Sequence, residues 1–214
     1  MKIGILGTGM VGATLGSKLV SIGHEVKMGS RSPNNEKAVK WVNENGARAS
    51  HGTFADAAAF GEVVFNCTAG TVSLAALASA GATNLKGKVL VDVANPLDFS
   101  RGMPPSLSVC NSDSLGEQIQ RAFPNVRVVK ALNTMNCTVM VEPSLVPGEH
   151  DAFVCGNDSE AKGKAIEILQ SFGWQSIIDL GDITAARGTE MVLPIWLRLW
   201  GLYQNRPFNF RIAR

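Results

Sequence analysis

Charge of one sign is what this sequence has little of. Over 214 residues, 20 Lys and Arg stand against 18 Asp and Glu, a formal net charge of +2. Nucleic-acid binding needs a concentrated basic field, so DNA and RNA are not expected partners. Charged residues make up 18% of the chain, below the roughly 25% of an average protein, while hydrophobic residues reach 45%. Such a composition packs and does not stay disordered. Cysteine is scarce as well: Cys67, Cys110, Cys137 and Cys155 include no CxxC pair. The three histidines His24, His51 and His150 stand at no ligand spacing to them, so neither a disulfide scaffold nor a metal site is expected, and the thiols suggest a reducing, cytoplasmic setting. No apolar run approaches the roughly 18 residues that cross a bilayer, so no membrane partner is expected. The apolar stretch Met1 to Val20 has no A-x-A cleavage site and is not read as a signal peptide. H-E-x-x-H and any recognisable Ser-His-Asp or Cys-His pattern are also missing, and the histidines are read as structural or solvated.

Glycine, by contrast, is abundant, with 22 residues and no collagen-like period. Four cluster near the N-terminus. Lys2 to Leu6 is a short apolar run, Met10 to Ser21 has helical spacing at Val11, Leu15 and Leu19, and Glu25 to Met28 reads as strand again. Between the first strand and the helix lies Gly7-Thr8-Gly9-Met10-Val11-Gly12, which matches G-x-G-x-x-G in the strand–turn–helix setting that gives the motif meaning. Gly7 permits the tight turn, Gly9 lets backbone approach a pyrophosphate, and Gly12 lets helix pack on strand. The helix N-terminus offers its free N–H groups to the phosphates.

The alternation continues. Helices are expected near Glu36–Asn45, Phe54–Phe60, Ser73–Ser79, Ser114–Phe123 and Ser159–Phe172, with strands at Val63–Cys67, Lys88–Asp92, Val126–Ala131, His150–Cys155 and Ser176–Asp179. Asn95 to Cys110, with Pro96, Gly102, Pro104 and Pro105, is read as a long loop. Alternating strands and helices imply an α/β fold, a Rossmann-type, doubly wound, mostly parallel sheet. Ligands bind such sheets at the carboxyl ends of the strands. The loops there are Thr68-Ala69-Gly70-Thr71 and Asn95-Pro96-Leu97, expected to touch the nicotinamide half of a dinucleotide.

The end of the second strand sets the cofactor. An NAD-specific site places Asp or Glu there for the ribose 2′-hydroxyl, but this chain reads Met28-Gly29-Ser30-Arg31-Ser32. A hydroxyl followed by a guanidinium suits a 2′-phosphate, and Lys37 adds charge at the start of the next helix. NADP(H) is therefore expected over NAD.

Residues 1–180 are read as the NADP-binding domain and 181–214 as a small C-terminal helical and aromatic extension. Trp196, Trp200, Tyr203, Phe208 and Phe210 crowd this last segment, and Pro194 is expected to kink or restart a helix. The aromatic residues pack on the sheet, line a substrate pocket or form a homodimer contact.

GTGMVG, GSRSPNNEKA after the second strand, VVKALNTMNC and VCGNDSEAK resemble the NADP-dependent coenzyme F420 oxidoreductase family along nearly the whole chain. The run IIDLGDITAARGTEMVLPIWLRLWG is similar to that family and to the related reductase domain of six-transmembrane ferric reductases, which use NADPH and flavin. The resemblance implies that Thr8 to Val11 bind pyrophosphate and that Ser30, Arg31 and Lys37 bind the 2′-phosphate. It places Ala131 to Cys137 beside the nicotinamide. Archaeal members carry His-Thr-Ile-Pro where this chain has Asn133-Thr134-Met135-Asn136, and the ferric-reductase relatives look closer at the Asn. The implied activity is hydride transfer between NADP(H) and a second small molecule, coenzyme F420 or FMN or FAD. Such transfer needs two rings held face to face with water excluded, and no side-chain nucleophile. Asn133 and Thr134 are the candidate catalytic residues, hydrogen bonding near the reacting rings. Two alternatives stand beside this reading: an NADPH-dependent reductase of another small substrate, and a noncatalytic NADPH-binding redox sensor.

Overall fold

The computed structural model describes residues 1–204 and 206–213. Eight strands form one sheet in the order β10-β9-β8-β5-β4-β1-β2-β3. They are β1 (Lys2–Leu6), β2 (Glu25–Ser30), β3 (Ala49–Thr53), β4 (Val63–Asn66), β5 (Val89–Asp92), β8 (Arg127–Ala131), β9 (Ala152–Gly156) and β10 (Ile177–Asp179). A separate antiparallel pair, β6 (Leu97–Asp98) and β7 (Ser106–Leu107), stands outside it. The chain runs outward from β1 to β3 and then crosses back to β4, so the strand order reverses between β1 and β4. This doubly wound sheet leaves a crevice at that switch point, above the carboxyl ends of the strands.

Central strands such as KIGIL and VVF are apolar on both faces because helices cover both sides of the sheet. On one face lie α1 (Met10–Ser21), α2 (Glu36–Asn45), α7 (Cys137–Val141) and α8 (Ser159–Ser171), whose Leu15, Leu19, Trp41, Met140 and Ile168 pack against Ile3, Ile5 and Val129. On the other face are α3 (Phe54–Phe60), α4 (Gly70–Ala80), α5 (Ala82–Leu85), α6 (Leu115–Ala122) and α9 (Ala186–Met191). Local chemistry starts several of these helices. Asn35 accepts from the N–H groups of Lys37 and Ala38, Ser114 caps α6, and Thr53 with Asp56 forms a capping box at α3.

The structure adds detail that the sequence reading did not contain. β3, with the polar sequence ASHGT, is an edge strand paired only with β2, so it carries little apolar alternation to announce it. The 95–110 segment contains the β6–β7 hairpin. α4 begins at Gly70 and not at Ser73, which puts Gly70 and Thr71 in its first turn. β9 runs antiparallel to β8, while every other neighbouring pair of the eight-stranded sheet is parallel.

After β10 comes a 3-10 turn, Ile183–Ala185, then α9 and α10 (Leu193–Leu202), in which Pro194 occupies the first turn and so restarts a helix. Trp196 stacks on Trp200 at 5.1 Å and on Phe208 at 5.6 Å. The tail then returns to the sheet, where Asp151 N–H donates to Phe210 O at 2.9 Å and Ile212 N–H to the Asp151 carboxylate at 2.6 Å.

Candidate active site

Gly7 follows β1 with φ +122°, a conformation that excludes ordinary side chains, and its N–H donates to Gly29 O at 3.0 Å. The turn therefore folds back between β1 and β2. Gly9 is the N-cap of α1 and, lacking a side chain, leaves the helix uncapped. The N–H groups of Met10, Val11 and Gly12 begin the helix and have no intrahelical acceptor. Gly9 and Met10 are exposed, and Thr8 and Val11 partly so. This is an open helix end whose free N–H groups and dipole favour an anion.

At the end of β2, Ser30 is buried and its Oγ is engaged with Ser32, donating to the carbonyl and accepting from the N–H at 3.2 Å. Ser30 thus shapes the turn. Arg31, Ser32 and Lys37 stand exposed beside it, with no side-chain ion pair to Arg31 or Lys37 among the described residues. His51 of β3 bonds through Nδ1 to Pro33 O at 2.8 Å and steadies the same loop. The carboxylate that would hold a 2′-hydroxyl is absent at this strand end, and Arg31 and Lys37 stand exposed in the segment that follows it.

Further along the crevice, Thr68 Oγ1 donates to Asn66 Oδ1 at 2.7 Å and lies 2.8 Å from Ser73 Oγ. Ala69 is the exposed N-cap of α4. A β-carbon on Gly70 would strike the Asn95 carbonyl, so this glycine lets the loops after β4 and β5 touch. Pro96 is buried and its carbonyl accepts from Ser108 N–H at 2.8 Å. Ala131 ends β8 wholly inside the core, so its side chain reaches no ligand.

The turn after β8 is the tightest part of the site. Leu132 has φ +61°, strained for a branched apolar residue, and is held there by a side chain buried in the core. Asn133 and Thr134 follow, each 2% exposed. Asn133 and Asn95 form a reciprocal pair: Asn95 Nδ2 donates to Asn133 O at 2.8 Å, and Asn133 Nδ2 donates to Asn95 Oδ1 at 3.0 Å. Asn133 Nδ2 also donates to Thr189 O at 3.1 Å. Both amide hydrogens are thereby used. Neither Asn133 Oδ1 nor Thr134 Oγ1 makes a hydrogen bond to another described residue, and neither belongs to the sealed polar atoms, which are Trp196 Nε1 and Asn209 Oδ1. Two polar oxygens on this rim thus have no partner among the described residues.

Beneath this rim lies a group of buried charges that sequence patterning does not join. Lys130 Nζ is 2.9 Å from Asp92 Oδ2, 2.8 Å from Glu190 Oε1 and 2.5 Å from Ala94 O, so all three ammonium hydrogens have acceptors. The two carboxylates raise the Lys130 pKa against the opposing effect of burial. Glu190 also accepts from the N–H groups of Leu115 at 2.8 Å and Gly116 at 3.0 Å, at the start of α6. The sequence does contain a signal for this group, since Asp92 and Lys130 interrupt the apolar strands VLVD and RVVKA. A charge inside a buried strand needs a partner. Burial pushes the Cys67 thiol up and that of Cys155 up to about 12, so neither of these two is a ready nucleophile.

A family model described as NADP oxidoreductase, coenzyme F420-dependent, matches residues 2–96. The crystal structure of a candidate F420-dependent NADP-reductase from Arthrobacter sp. FB24 is 54% identical, superposes with a TM-score of 0.96, and matches over 100% of both chains. The chain belongs to the coenzyme F420-dependent NADP oxidoreductase family. The chain is also 30% identical over 130 residues to the F420-dependent NADP reductase of Methanocaldococcus jannaschii, covering 60% of this chain and 58% of that protein. It is 30% identical over 199 residues to metalloreductase STEAP3 of Rattus norvegicus, covering 91% of this chain and 38% of that protein. The chain thus spans 38% and 58% of these two curated relatives, less than two thirds of either. No described helix of the chain is long and apolar enough to cross a membrane.

Proposed function

We propose that this chain transfers hydride between NADP(H) and a planar acceptor of the deazaflavin or flavin type. The observation that carries the reading is the pairing of an uncapped α1 N-terminus with exposed Arg31 and Lys37 where a carboxylate would select NAD. The N–H groups of Met10 and Val11 take the pyrophosphate, and Arg31 with Lys37 takes the 2′-phosphate, while Ser30 holds their turn in shape. NADP(H) supplies the hydride chemistry itself. Asn133 Oδ1 accepts from the nicotinamide carboxamide, and Thr134 Oγ1 lies beside the reacting rings. Thr68 to Gly70 and Asn95-Pro96 close the crevice and keep water out. The segment from residue 181 onward walls the acceptor side, a role supported by the reach of Thr189 to Asn133. The acceptor class rests on the relatives, one of them an F420-dependent reductase and another a metalloreductase.

The test is absorbance at 340 nm in stopped flow, with NADPH mixed against deazaflavin coenzyme, FMN, FAD or buffer. Rapid oxidation with the deazaflavin alone establishes the F420 reaction, and oxidation with FMN or FAD selects the flavin branch. Tight NADPH binding without turnover in any channel overturns the hydride-transfer reading and leaves a sensor or a reductase of another substrate.

A further inference from the structure

The buried charges and the rim amides form one closed circuit. Asp92 Oδ1 accepts from Ala94 N–H at 3.2 Å while Lys130 donates to Ala94 O, so both peptide groups around Ala94 are gripped from below. The next residue is Asn95, paired with Asn133; Asn133 is bonded to Thr189 O; and the residue after Thr189 is Glu190, which returns to Lys130. Among the described residues, Asn133 Oδ1 is the one side-chain oxygen of this circuit with no hydrogen-bond partner. Its strained neighbour Leu132 also sits inside it, and backbone strain persists only where surrounding contacts over-determine the chain.

We propose that the Glu190–Lys130 ion pair is a positioning device that, through Ala94 on one side and Thr189 on the other, sets where Asn133 Oδ1 meets the nicotinamide carboxamide. The inference rests on the nicotinamide placement given under the proposed function. Its physical basis is that a carboxylate from α9 and an ammonium from β8, both shielded from water, fix the distance between two loops more narrowly than apolar packing does. Neither residue reaches the crevice, so both act through Asn133.

The decisive variant is Glu190→Gln, which leaves Lys130 balanced by Asp92. Lys130→Met strands two buried carboxylates and is expected not to fold. Calorimetry at 15 °C compares NADPH with adenosine 2′,5′-bisphosphate, which has the phosphate and adenosine contacts but no nicotinamide. In Glu190→Gln the bisphosphate is expected to bind within twofold of the parent, while NADPH weakens at least fivefold. Asn133→Ala is expected to show the same selective loss, and adding Glu190→Gln to it no further one, because both changes act on one contact. Equal affinities in parent and Glu190→Gln, or parallel weakening of both ligands, overturns the positioning role and leaves a structural ion pair. A parent that binds NADPH no more tightly than the bisphosphate overturns the nicotinamide placement itself, and the inference with it.

Discussion

Gly9 and Gly12 stand three residues apart in the turn that opens α1, yet their surroundings are opposite. A β-carbon at Gly9 would meet no atom within 4 Å, whereas one at Gly12 would fall on the Gly7 carbonyl oxygen. One glycine leaves room for a ligand, and the other leaves room for the fold. Gly9 has φ −79° and ψ −178°, which any residue adopts, so Gly9→Val is expected to melt within a degree or so of the parent while losing NADP(H) affinity by roughly tenfold or more. Gly12→Ala is expected to cost about 1–3 kcal/mol of stability by overpacking. Paired thermal melts and titrations check both, and unchanged NADPH affinity in Gly9→Val would remove the pyrophosphate from this turn.

Arg31 is exposed and free of ion pairs among the described residues, so its removal should not disturb the fold. Arg31→Ala is expected to weaken NADP by about 1.5–3 kcal/mol through a lost charge-assisted hydrogen bond. That corresponds to roughly 10- to 150-fold, while NAD affinity changes little. Parallel titrations with the two cofactors measure the difference, and equal losses would move the 2′-phosphate elsewhere.

Thr134 Oγ1 makes no hydrogen bond to another described residue, which makes Thr134→Val a clean deletion. Stability should hold or rise slightly, because no internal hydrogen bond is broken. Turnover should fall by roughly twofold to tenfold, the worth of a neutral hydrogen bond of about 0.5–1.5 kcal/mol. A variant that melts normally and turns over at the parental rate would take Thr134 out of the site.

Stability in acid reports on the α6 end of the molecule. The Arg121 guanidinium, bonded at 2.9 and 2.8 Å, holds the Asp113 carboxyl down to about 2, below its unfolded value near 3.9. A depressed carboxylate adds stability above the unfolded pKa and loses it as pH falls through the folded one. Arg121 is largely exposed, so solvent screening keeps the pair's contribution small. Asp113→Asn is therefore expected to lower Tm by about 1–3 °C at pH 7. The gap should narrow between pH 4 and 2 and vanish below. A gap that stays constant across that window would show that the ion pair contributes nothing.

The amino-acid sequence by itself determined the parts of this protein whose physics is local. The turn Gly7 to Gly12, the missing acid after β2, and the alternation of apolar strands with helices are each written within a few consecutive residues, and the structure places them as their chemistry requires. Tertiary structure decided the rest. The direction of β9 depends on a pairing with β8 that no local pattern encodes, and β3 is strand only because β2 lies beside it. Asn133 meets Asn95 across 38 residues and Thr189 across 56. Lys130 finds Glu190 only once the C-terminal segment has folded back over the sheet. A buried charge announces in sequence that it needs a partner, but which residue answers depends on how the chain returns in space.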